Sequence, residues 1–257
     1  MGTKMGPSYA CLFMGHLEYC IIESFTGPVP ELYKRYIDDG FGASSRSESV
    51  LLDFIYFVQN FHPSVKFAYN LSPVSVEFLD IHVNIKDGKF NTSVFYKPTD
   101  AHSYLHFHSF HHLNTKASIS YSQFLQLRRL CSDDEDFLLQ CSNVAEFFSA
   151  LGYPTSITEK ALRRVKRISR AYALSPAVPA ACERPIVSVI YHPHNLPLCQ
   201  ILWSYWHVLE NSATVDTTFC DRPLVAFKKD LNFRYICVHS NLRSRVNTTP
   251  GTRDWAP

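Results

Sequence analysis

Two adjacent carboxylates, Asp38 and Asp39, stand between an apolar-aromatic run, Leu32-Tyr33-Lys34-Arg35-Tyr36-Ile37, and Gly40-Phe41-Gly42. The pattern predicts a strand, a tight acidic turn and a second strand. Like charges side by side repel, so such a turn is costly unless something positive binds there. Mg²⁺, or Mn²⁺ in its place, suits the position: it takes oxygen ligands and bridges one or two carboxylates to substrate phosphates. Carboxylates so placed are the protein half of a two-metal phosphoryl-transfer centre. Asp also favours turns by bonding its own backbone. The tetrapeptide Tyr36-Ile37-Asp38-Asp39 alone therefore leaves a plain turn open beside the metal site.

Basic residues supply the second chemistry. Lys160, Arg163, Arg164, Arg167 and Arg170 recur at spacings of three and four, which puts them on one face of a helix, with Lys166 at its flank. Such a stripe can track a phosphate backbone, each contact adding salt-dependent affinity; a solvated helix face has the same spacing. Arg128 and Arg129 are followed by Asp133-Asp134-Glu135-Asp136, an acidic run that suits a helix N-terminus rather than a metal. The histidines at 102, 106, 108, 111 and 112 alternate with Tyr104, Phe107 and Phe110 and have no nearby Cys, a poor match to zinc ligation. Stacking on nucleic acid fits them better. No Gly-rich phosphate loop, Ser-His-Asp set or HExxH motif is present, so hydrolase and kinase chemistry have no support.

The elements that must hold these residues follow from pattern. A helix is expected from about Ser8 to Cys20, stopping before Thr26-Gly27-Pro28. After the acidic hairpin, Ser47 leads into a helix over Val50–Phe61 that Pro63 ends. A strand near Val65–Tyr69 and a hairpin from Val76 to Tyr96 follow, the latter turning at Asp87-Gly88. Ser132-x-x-Glu135 and Ser156-x-x-Glu159 predict capping boxes, opening helices to Leu151 and to about Arg170. Ala171–Pro185, rich in Pro and Ala, is expected to be a linker. Beyond it the pattern gives a strand at Pro185–Tyr191, a helix around Leu198–Leu209 and a strand near Tyr235–Val238.

A chain of 257 residues can bury a sizeable core in one or two domains. The formal net charge of +2 rules out a uniformly polybasic binder. Residues 1–100 carry 8 Lys/Arg against 11 Asp/Glu, whereas residues 101–185 carry 10 against 7. The acidic part thus holds the metal candidate and the basic excess comes later, as suits a metal-dependent enzyme acting on nucleic acid. Eight cysteines without a CxxC pair predict reduced thiols and an intracellular setting, nuclear or cytoplasmic. His16 and Glu18 break the early apolar stretch, so no signal peptide or membrane span is expected.

Several blocks carry a resemblance to a known family. They are Gly2-Thr3-Lys4-Met5-Gly6-Pro7-Ser8-Tyr9, Tyr36-Ile37-Asp38-Asp39, Phe78-Leu79-Asp80-Ile81, Gly88 to Asp100, Leu127-Arg128-Arg129-Leu130-Cys131-Ser132 and Gly152-Tyr153-Pro154. In this order they resemble the reverse transcriptase of Penelope-like retroelements, over Met1 to about Pro250. The resemblance implies an α+β fold: the C-terminal part of a right-hand polymerase palm over 1–100, a helical thumb over 101–170, a linker over 171–185 and a small α/β region over 186–257. It implies RNA-directed DNA polymerisation with an RNA template, a DNA primer and dNTPs as partners. Asp38 would ligate catalytic metal with Asp39 supporting it. Gly2, Pro7, Ser8, Tyr9 and Tyr36 would lie by nucleotide and template; Lys97, Lys160, Arg163, Arg164 and Arg167 would hold primer or other nucleic acid. An ordinary helix start and a solvated strand-end Lys account equally for Pro7, Ser8 and Lys97. The resemblance also implies that fingers and one metal-binding palm aspartate lie upstream of the segment that opens this chain, so that catalysis by this polypeptide alone is doubtful. The competing expectation is a non-enzymatic RNA- or DNA-binding remnant.

Overall fold

The computed structural model describes residues 5–176, 184–192, 197–210 and 221–228. Gly2 and the strand expected at Tyr235–Val238 lie outside the described residues.

Helix α1, Gly6–Ser24, opens with Pro7 in its first turn, where a missing N–H is harmless. It runs about a turn beyond the expected Cys20 and ends in extended Phe25. Strands β1 (Leu32–Tyr36) and β2 (Asp39–Ala43) then form an antiparallel pair in which Tyr36 faces Asp39. Helix α2, Glu48–Phe61, begins after Ser47 and stops before Pro63, as its pattern predicts. Phe25 packs edge-on against Phe54 at 5.2 Å and touches Phe57 at 5.1 Å, which pins the end of α1 to α2.

The segment expected as a strand at Val65–Tyr69 is not one. Its backbone pairs instead with the side chain of Gln59 on α2, which donates to the Phe67 carbonyl and accepts from the Phe67 N–H at 3.3 Å. A side-chain amide has met the backbone demand that a neighbouring strand would have met. The expected hairpin from Val76 to Tyr96 is a three-stranded meander: β3 (Ser75–Phe78), β4 (Ile81–Lys86) and β5 (Lys89–Val94). The turn at Asp87-Gly88 is as expected, with φ of 53° and 70° at its two central residues. The two antiparallel sheets are not hydrogen-bonded to each other. Phe41 on β2 meets Phe78 on β3 across the gap at 5.5 Å.

The main core lies in three helices, α3 (Leu113–Leu130), α4 (Asp134–Ala150) and α5 (Thr155–Lys166). Phe124, Phe148 and Val165 are fully buried there, with Leu127, Val144 and Ala161 around them. Both expected capping boxes are absent. The residue before α4 is Asp133 and the residue before α5 is Pro154, neither with a side-chain cap. Ser132 is engaged elsewhere: its hydroxyl accepts from the Thr92 N–H at 2.9 Å and its own N–H donates to the Thr92 carbonyl at 2.7 Å. That exchange ties β5 to the α3–α4 turn.

The helix expected to reach Arg170 breaks at Arg167 and restarts as α6, Arg170–Leu174, capped by Ser169, whose hydroxyl accepts from the Tyr172 N–H. Arg128 donates to the Ile168 carbonyl freed by the break at 2.9 Å, and Arg129 donates to the Ala173 carbonyl at 2.8 Å. Residues 171–174 of the expected linker are therefore helical, because the end of α3 holds them. Further on, β6 (Ile186–Ile190) and β7 (Leu224–Lys228) pair in parallel. The helix expected at Leu198–Leu209 is divided into α7 (Leu198–Tyr205) and α8 (His207–Glu210). His112 stacks on Phe227 at 4.5 Å and so docks β7 at the start of α3.

Candidate functional site

The acidic hairpin has a two-residue loop, Ile37-Asp38, closed by the Tyr36–Asp39 pair. Ile37 takes φ of 55°, the left-handed side that costs a β-branched residue about 1–2 kcal/mol. Of the two central residues only Ile37 has positive φ, the signature of a type II′ turn. Asp38, Asp39, Tyr36 and Ile37 are all exposed. Beneath them lies a brace that sequence reading missed. Glu18 on α1 accepts from Arg35 Nε at 2.6 Å and from the Tyr33 hydroxyl at 2.7 Å. Arg35 also donates through Nη1 to the Ile37 carbonyl at 2.7 Å. The guanidinium therefore links α1 to the strained residue of the turn. Burial, and then the Glu18 hydrogen bond, push the Tyr33 phenol above its ordinary range and keep it a donor. At the open end of the hairpin, Ser44 and Ser45 hydrogen bonds pull the Glu31 carboxyl down to about 2.

The hairpin offers a metal two side-chain carboxylates, Asp38 and Asp39. Its oxygen donors match Mg²⁺ or Mn²⁺ in kind, but no group of three or more His, Cys, Asp or Glu side chains placed to hold a metal occurs among the described residues. Two exposed carboxylates would hold such an ion only with water and substrate phosphates filling the rest of its octahedron. Pro7, Ser8 and Tyr9 form the exposed first turn of α1, while the contact with the hairpin is made further along that helix by Glu18.

The basic stripe is built as its spacing predicts, with one exception. Thr158, Ala161 and Val165 bury the inner face of α5, which leaves Lys160, Arg163, Arg164 and Arg167 exposed. Arg164 lies over the Tyr121 ring at 4.3 Å, which fixes its stem while the head stays in solvent. Arg170 is the exception. It donates to the Arg129 carbonyl and to Thr92 Oγ1, both at 3.2 Å, and serves the fold.

Helices α4 and α5 are joined by Leu151-Gly152-Tyr153-Pro154, where Gly152 takes φ of 80°. A short turn containing Gly between two helices is the connection found in helix-turn-helix units. The family model of the animal helix-turn-helix domain matches residues 103–169. No curated protein and no solved structure matches the chain. The matched segment holds α3, α4 and α5 with the loop before them. The signal for it in the sequence was Gly152 between two amphipathic stretches.

The histidines do not form a ligand set. His102 stacks on Phe147 at 4.0 Å and meets Tyr96 edge-on, while His112 caps α3 by accepting from the Asn114 N–H. Those two rings are used internally rather than offered to nucleic acid. Lys97 borders a cleft beside α3. No described helix is long and apolar enough to cross a membrane.

Proposed function

We propose that this chain binds nucleic acid through the exposed face of α5, as the thumb side of an RNA-directed DNA polymerase of the Penelope-like kind. The observation that carries the reading is the set of cations at 160, 163, 164 and 167, exposed on the second helix of a helix-turn-helix unit. Arginine suits this work because its planar fork pairs bidentately with phosphate. The partners are an RNA template paired to a DNA primer, with dNTPs as substrates. Tyr36, Asp38 and Asp39 would belong to the nucleotidyl-transfer site, with Arg35 fixing the turn. That site calls for at least one further carboxylate brought to the hairpin, with Mg²⁺ or Mn²⁺ supplying charge stabilisation when bound.

Binding to an RNA–DNA hybrid, measured across a salt series, tests the interface. Each phosphate contact contributes about −0.9 to the logarithmic salt slope on B-form DNA, so Arg163→Gln, Arg164→Gln and Arg167→Gln together are expected to flatten it by about 2–3. An unchanged slope would remove α5 from the interface. Primer extension with dNTPs and Mg²⁺ tests the hairpin. Incorporation that disappears in Asp38→Ala supports the metal role, and incorporation that survives it sinks that role. The second reading is a nucleic-acid-binding protein without catalysis. It is favoured by the absence of a third acid beside Asp38 and Asp39 among the described residues, and a chain that binds the hybrid but extends no primer even when joined to an upstream palm segment supplying the further aspartate would establish it.

A further inference from the structure

A cleft of about 390 Å³ opens between the segment after β5 and one side of α3. That volume is near the low end for small-molecule sites, about 300–1,000 Å³, and admits one compact ligand. Two of its walls are aromatic and already fixed. Tyr96 stands edge-on to His102 at 4.7 Å, and Tyr104 stacks on Phe148 at 5.1 Å. Burial raises both phenols above their ordinary range, so they present neutral rings.

The opposite wall is polar. Gln123 and Gln126 stand three residues apart on α3 and so share a face. Neither carboxamide has a hydrogen-bond partner among the described residues, although each offers donors and an acceptor. A pair of free amides beside fixed rings suits a flat ligand with both donors and acceptors on its edge, which describes a nucleobase. The charge balance narrows the choice. Lys97 is the one cation of the lining, against Asp80 and Asp100. A di- or triphosphate would meet net repulsion there, whereas a single phosphodiester at the mouth needs only one ammonium.

We propose that this cleft holds one unpaired nucleotide of the bound strand. Its base lies against the Tyr96 and Tyr104 rings, its edge on Gln123 and Gln126, and its phosphate at Lys97. The proposal rests on the nucleic-acid reading of α5 but concerns a separate surface.

The full chain is tested by fluorescence anisotropy on three RNA–DNA hybrids that differ at one position: fully paired, with a bulged adenosine, and with an abasic bulge. The bulged adenosine is expected to bind at least about fivefold tighter than the other two, the low end of what one base stacked on an aromatic side chain contributes. Gln123→Leu with Gln126→Leu should erase that preference and leave the salt slope unchanged. Equal wild-type affinity for all three hybrids, with the slope intact, overturns the cleft and leaves the α5 interface standing. Binding to none of them overturns both. An equal loss on all three hybrids in the leucine variant assigns the glutamines to the fold and overturns the proposal.

Discussion

Arg35 is the residue on which the acidic turn depends most. Its side chain is 15% exposed and that of Glu18 17%, so their hydrogen bond is largely shielded from water. Charged hydrogen bonds of this kind contribute about 1.5–3 kcal/mol, and removing one partner strands the other. Arg35→Met is therefore expected to destabilise the chain by about 2 kcal/mol in urea denaturation, with Glu18→Gln costing less because the amide oxygen still accepts. A loss below about 0.5 kcal/mol, the usual range for surface changes, would show that the brace is dispensable. The turn itself was legible in the sequence, because a two-residue loop and its flanking strands are local. The brace was not, since Glu18 and Arg35 lie 17 residues apart and neither belongs to a motif. The same limit hid Arg170, whose spacing matched the stripe but whose partners, Thr92 and Arg129, lie far back in the chain.

Thr92 plays the corresponding part at the level of elements. Its hydroxyl donates to the Leu130 carbonyl at 2.6 Å, lies 2.7 Å from Ser132 Oγ and accepts from Arg170, so one side chain on β5 joins the end of α3, the α3–α4 turn and α6. Thr92→Val keeps the volume and removes all three contacts. The expected loss is about 1–2 kcal/mol by denaturation, since the partners left behind are only partly buried, and an unchanged midpoint would mean that packing alone holds β5 to α3. Helices and strands were mostly read correctly because amphipathic spacing is a property of each segment. The failures share a cause: Ser132, Gln59 and Ser169 hydrogen-bond to groups that local patterning did not assign them. Ser132 left its capping box for Thr92, Gln59 replaced a strand, and Ser169 ended one helix by starting another.

Across the whole molecule the buried groups set the pH range of stability. Burial pushes the Cys131 and Cys141 thiols up to about 12 from an ordinary 9.0, and it raises the half-buried Tyr96 and Tyr104 phenols above their ordinary 10.0. In each case the unfolded chain gives up its proton first, so stability falls as pH rises past the unfolded value. The contribution is complete below about pH 9 and is lost progressively above it. Urea midpoints measured from pH 7 to 11 should therefore hold steady and then fall, and a midpoint that rises above pH 9 would contradict the burial of these groups. Glu31 works in the opposite sense at the acid end. Its carboxyl is lowered, so its support for the hairpin is present above 4.5 and fades as pH falls toward 2.

The composition of the α5 face has a regulatory corollary. Three of its five exposed cations, Arg163, Arg164 and Arg167, are arginines, which hold their proton at any physiological pH and offer no amine to an acetyl group. The face is thus a permanent electrode. Acetylation could dim it only at Lys160 and at Lys166 on its flank, so control over the arginines would have to come from the salt around the chain or from methylation of the guanidinium forks.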